Sequence, residues 1–199
     1  MREIFVIVAG IISVVSSLPY ILDIAKGKTH PNLVTWLTWT ILVAINVWVA
    51  ITAGAYQTAI LSGAVLLADI AILSMGFRKG VKKYTPFDII CQILALIAIA
   101  LWRLTGNPSL AVILSLSALL VAAMPTYRHA WMAPFAETWE GFAMAVAAGL
   151  LTIASLSKYD FIALAFPFIT VLNCGVVVTI ILTRRRVVTR KDIPLSSSV

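Results

Sequence analysis

Charge is scarce in this chain: 12% of its 199 residues are charged and only eight are acidic, where an ordinary globular chain carries about 25% charge. With 61% hydrophobic residues and a mean hydropathy of +1.03, a soluble globular or disordered chain is excluded. Cysteine is nearly absent. Cys91 and Cys174 fall in different apolar runs and lack metal-ligand spacing, so neither a disulfide framework nor a zinc site is suggested. His30 and His129 sit in connecting segments with no cluster around them. Glycine-rich phosphate loops are missing, and no nucleophile, base and orienting group occur together, so no enzymatic activity, metal or cofactor is expected. A retinal protein needs a lysine inside its last span, and there is none.

What is abundant is long apolar runs. About 20 apolar residues span a hydrocarbon core of about 30 Å as a helix, and seven stretches meet that length: roughly 3–25, 32–53, 56–77, 86–105, 108–128, 135–157 and 159–183. They use up most of the chain. Glu3 after Arg2, with no small-residue cleavage pattern before Leu18, argues for a retained first span over a removed signal.

Basic residues give the orientation, because lysine and arginine near helix ends stay on the cytoplasmic side. One set of ends carries Lys26, Lys28, Arg78, Lys79, Lys82, Lys83, Arg128, Arg184, Arg185, Arg186, Arg190 and Lys191, and the other only Arg2, Arg103 and Lys158. The amino terminus is therefore expected outside and the carboxyl terminus in the cytoplasm. Topology then accounts for the net charge of +7. Dispersed over membrane loops, these charges point to anionic headgroups of the lipid bilayer and not to nucleic acid.

The chain also repeats itself. Pro31, Thr35 and Trp36 recur 103 positions later as Pro134, Thr138 and Trp139, and Tyr56 recurs at the same offset as Tyr159. Pro19 returns as Pro125 at a slightly larger offset, because the loop after Pro125 is shorter. Spans one to three thus match spans five to seven, and the fourth is a linker that restores direction. The expected fold is an all-α integral membrane protein of seven transmembrane helices in a 3+1+3 parallel repeat. Its parts are a first triple-helix bundle (1–78), an inner loop and linker helix (79–107), a second triple-helix bundle (108–186) and a cytoplasmic tail (187–199). The linker helix has Thr85 and Pro86 at its start, and Gly106, Asn107 and Pro108 form the turn after it.

Leu18-Pro19-Tyr20, Met124-Pro125-Thr126 and the inner loop Lys26-Gly27-Lys28-Thr29-His30-Pro31-Asn32 make the chain resemble the SWEET and PQ-loop superfamily of small-solute transporters. The resemblance covers the whole chain as topology and a short segment of each half as sequence. Tyr20 and Thr126 stand where the PQ motif has glutamine, and spans two and six lack an interior proline. The resemblance implies an alternating-access transporter with hinges or gates at Pro19, Tyr20, Pro125 and Thr126. It further implies contact with a neutral, sugar-sized solute through residues at the positions of Asn173 and, as a stacking surface, Trp48.

Intramembrane polar groups mark sites independently of resemblance, because an ionised side chain at mid-depth costs several kcal/mol unless it meets water or a partner. Asp69 lies near the middle of span three and Asn173 near the middle of span seven, with Asn46 and Trp48 on span two. Asp69, Asn173, Asn46 and Trp48 are the expected substrate-binding residues, and the acid adds the expectation of proton coupling. Structural readings stand beside these: prolines that only shape packing, an acid acting as interhelical glue, a tryptophan at the interface, and serines Ser13, Ser16, Ser17, Ser115 and Ser117 serving close helix approach. The alternatives in function are a KDEL-receptor-like receptor, which needs buried basic residues, and a non-transporting assembly subunit. A homo-oligomer is left open.

Overall fold

The structure, a computed structural model, describes residues 2–27, 33–79, 86–132, 134–135 and 139–187. Pro31, Asn32, Thr85, Glu137, Thr138, His30 and the tail lie outside the described residues, as do the side chains of Thr35, Cys91, Pro125 and His129. Among the described residues there are eight helices: α1 (Arg2–Ala25), α2 (Leu33–Thr52), α3 (Tyr56–Lys79), α4 (Pro86–Thr105), α5 (Pro108–Ala122), α6 (Met124–Met132), α7 (Trp139–Ser155) and α8 (Phe161–Val187). The chain is all-helical there.

Short, chemically defined turns set the helix directions. Gly54 adopts φ +71, and the Ala55 amide donates to Ala50 (2.8 Å) while Gly54 donates to Ile51 (3.1 Å). That is a Schellman stop on α2, open to glycine because it lacks a Cβ, and it turns α3 back antiparallel to α2. Gly106 (φ +60) and Asn107 do the same after α4: Asn107 Oδ1 accepts from the Leu110 amide at 3.2 Å and Pro108 opens α5. Asp160 caps α8, accepting from the Ala163 amide at 2.9 Å.

Bonds between distant helices show which ends lie together. Gln57 Nε2 donates to Ser157 Oγ at 2.7 Å, so α3 begins where α7 ends and α8 begins. That end is here the upper one. Asn46, near the upper end of α2, bonds Ser115 in the upper half of α5, and Gly10 of α1 lies against Ile60 near the start of α3. Helices α1, α3, α5 and α8 therefore run downward, and α2, α4 and α7 upward.

Packing follows the repeat. In the first triplet α3 packs on both α1 and α2, and in the second α8 packs on α7 and on α5 with α6. Across the halves α1 packs on α7 as α2 packs on α5, and α3 meets α8. Val43, Val49, Leu61, Val112, Leu116 and Phe166 form the central core, while Ala50, Ala55, Leu156 and Ala163 close its upper end.

One expectation needs correction. The fifth span is not one helix: it breaks at Ala123 into α5 and α6, with Pro125 the second residue of α6. Proline lacks an N–H, so the Val121 carbonyl loses its ordinary helical donor there. Pro19, by contrast, sits inside an uninterrupted α1. Among the described residues, three helices are long and apolar enough to cross a membrane, 2–25, 56–78 and 161–187, and 36–52, 108–122 and 139–155 are apolar but shorter. The exterior is apolar as well: Ile4, Ile7, Ile11, Leu67, Phe77 and Phe168 are exposed.

Candidate functional site

Asp69 lies on the packed side of α3 in line with Thr58, Ser62 and Ile72, steps of four, seven and three residues that keep them on one helix face. It is 6% exposed, and its carboxyl has no hydrogen-bond or ion-pair partner among the described residues. That arrangement is costly. A polar group in a packed interior is normally paired.

Its level in the bundle follows from helix geometry. Asp69 stands as far beyond Tyr56, the start of α3, as Trp39 stands before Thr52, the end of α2, about 20 Å at 1.5 Å per residue. Trp39 Nε1 is itself buried with no acceptor. A carboxyl without a bonded partner and a fully buried indole donor without an acceptor thus share one level of adjoining helices. On α8, Asn173 lies at nearly the same depth, but its Oδ1 accepts from the Tyr127 hydroxyl of α6. Asn173 is therefore tethered within the second half.

Asn46 is 3% exposed and joins the halves: its Nδ2 donates to the Leu42 carbonyl at 2.8 Å and to Ser115 Oγ at 3.0 Å, leaving Oδ1 buried and unpaired. It lies about 10 Å above Asp69 by helix rise. Trp48 corrects the sequence reading. It is 56% exposed on the outer face of α2, because two residues from Asn46 is about 200° of helix rotation, and it lines no shared site with Asn46. Ser16 and Ser17 bond back to Ser13 and Val14, each at 2.7 Å, which supports their packing role.

Aromatic rings gather at the lower end of each half. Tyr20 stacks at a tilt on Trp36 (5.3 Å between centroids), and Trp36 meets Trp39 edge-on at 5.1 Å. Tyr127, Trp139 and Phe142 pack around Ala130, Val177 and Ile181 in the second half. Trp36 and Trp39 match Trp139 and Phe142 at the repeat offset of 103. Thr126 is half-buried in α6 beside this cluster's Tyr127.

Sequence reasoning missed Tyr127 and Pro167, and it placed Trp39 toward the inner end of the second run without a partner. Pro167, inside α8, was the readable one, since an interior proline frees a carbonyl one turn earlier. That carbonyl belongs to Ala163, and the Thr58 hydroxyl of α3 donates to it. A cavity of about 730 Å³ also opens, but on the flank between α1 and α3, lined by Ile7, Gly10, Ile11, Ile60, Gly63 and Leu67. Asp69 lies on the other side of α3. No family model, curated protein or solved structure matches this chain.

Proposed function

We propose that the chain is an integral membrane transporter, its seven spans arranged as a 3+1+3 parallel repeat, that moves a small polar solute by alternating access. α5 and α6 together make the fifth span. The helix directions and the exchange of α1·α7 for α2·α5 contacts support the repeat. The apolar exterior suits lipid, and the basic lower ends at Arg78, Arg184, Arg185 and Arg186 suit a cytoplasmic side.

The single observation that carries the reading is the unpartnered carboxyl of Asp69, buried where α3 packs among α1, α2 and α8. A structural acid would be tied to a neighbouring helix, as Asn46 is to Ser115. An acid left unmet is a group that a solute donor or a proton satisfies in turn. In the closed bundle the neutral form avoids the several kcal/mol that a charge costs there. When either end opens, water lowers that cost and the proton exchanges, which ties proton movement to the change of access. Receptor-like capture of a peptide carboxylate is disfavoured, because no lysine or arginine is buried among the described residues.

Uptake into proteoliposomes with and without a pH gradient tests this. Wild type should accumulate a small polar solute, and Asp69→Asn should lose flux or lose its response to the gradient. A correctly folded wild type that moves no small solute would instead favour an assembly subunit.

A further inference from the structure

The seam between α3 and α8 joins the two triplets, and its upper end holds a bond that neither helix makes alone. Pro167 has no N–H to give the Ala163 carbonyl one turn above it. In a packed apolar setting an unmet carbonyl needs a donor from elsewhere. The donor is Thr58 Oγ1, from the opposite half, and both residues are buried. Beside it, Gln57 Nε2 reaches Ser157 Oγ at 2.7 Å, and Ala50, Ala55, Leu156 and Ala163 pack around the same end. The counterpart of Pro167 at the repeat offset is Ala64 of α3, so the first half offers no matching free carbonyl.

From this we infer that Thr58 is a positioning residue for transport: it latches the upper end of the α3–α8 seam by capping the carbonyl that Pro167 frees. The inference rests on the transporter reading for its meaning, but not for its test. When Thr58 releases, the Ala163 carbonyl is exposed to water entering from above, and the path toward Asp69 opens. When it rebinds, the same carbonyl is met without solvent. The proline makes the latch cheap to reverse, because the acceptor belongs to no helix bond that would have to break.

Thiol accessibility reads the latch directly. Ser62 lies one turn below Thr58 on the same face and is fully buried. In a Cys91→Ser, Cys174→Ser background, Ser62→Cys is labelled with a membrane-impermeant maleimide added to intact cells from the upper side. Thr58→Val, which keeps the shape and removes the donor, should speed labelling by about three- to twentyfold, the range that one hydrogen bond inside a membrane spans. Thr58→Ser should retain the slow rate. In Pro167→Ala the restored N–H serves Ala163 itself, so adding Thr58→Val should then change little. An unchanged rate in Thr58→Val, or the same acceleration with and without Pro167, overturns the latch. Loss of uptake alone bears on the transporter reading and leaves the labelling result standing.

Discussion

The two triplets share a plan but fill it with different chemistry. Where α2 carries Thr38 and Asn46, α7 at the repeat offset carries Gly141 and Gly149. In the first half Asn46 makes a directed bond across to Ser115. The second half relies on bare backbone: a Cβ on Gly141 would come within 2.9 Å of the Ser16 carbonyl oxygen, and one on Gly149 within 2.7 Å of Val171 Cγ2 and 3.1 Å of the Pro167 carbonyl oxygen. Inside lipid, where no hydrophobic force drives helices together, close approach and polar bonds are the two available ways to associate. At these matched positions the first half presents the polar bond and the second the close approach.

The same contrast runs through the site. The acid on α3 is unmet, whereas the amide on α8 is held by Tyr127. Pro19 leaves α1 continuous, whereas Pro125 stands beside a break. The second half is thus pinned at the level of the site and interrupted just before Pro125, and the first carries the free group.

Gly141→Ala gives the sharpest test of the contrast. The neighbour it would strike is backbone of α1, which cannot swing aside, so we expect a loss of about 1–3 kcal/mol in reversible unfolding from mixed micelles. Thr38→Ala, at the matched position, should cost less. An equal cost would dissolve the distinction between the halves. Gly149→Ala should fall toward the lower part of that range, because Val171 is a side chain able to give, although the Pro167 carbonyl beside it is not.

Ser115→Ala and Tyr127→Phe come next, each removing one hydrogen bond for about 0.6 to 1.7 kcal/mol. They differ in where they act: Ser115→Ala should loosen α2 from α5, and Tyr127→Phe should free Asn173 without separating the halves. Cross-linking between cysteines placed on α2 and α5 distinguishes them. For the prolines, Pro125→Ala should slow amide exchange across residues 121–127 by restoring the donor to Val121, and Pro19→Ala should change its own segment less. The smallest effect is at Trp48. Trp48→Leu should leave solute uptake at the wild-type rate, since the ring points away from the bundle.

Much of the helix plan was readable. Apolar run lengths placed the helices, and Gly106-Asn107-Pro108 gave the turn into α5, because stops and caps are local chemistry. The division of the fifth span was not, since Ala123 and Pro125 lie within one continuous apolar run. Within the site, Asp69 and Asn173 stood out as polar residues in apolar surroundings, but Trp48 and Tyr127 were misjudged or missed. Depth along a helix is a count of residues; the direction a side chain faces depends on which neighbours pack there.

Composition, period and spacing are properties of the chain alone, and they already show an apolar, basic-ended chain with an internal repeat and an acid midway along its third apolar run. That the Asp69 carboxyl has no bonded partner, that Asn173 is tied to Tyr127, and that Thr58 meets the carbonyl Pro167 frees came only with the packing of helix on helix. Those outcomes depend on which helices lie side by side and how each is rotated, and about 100° of rotation per residue is enough to turn an inward-facing residue outward.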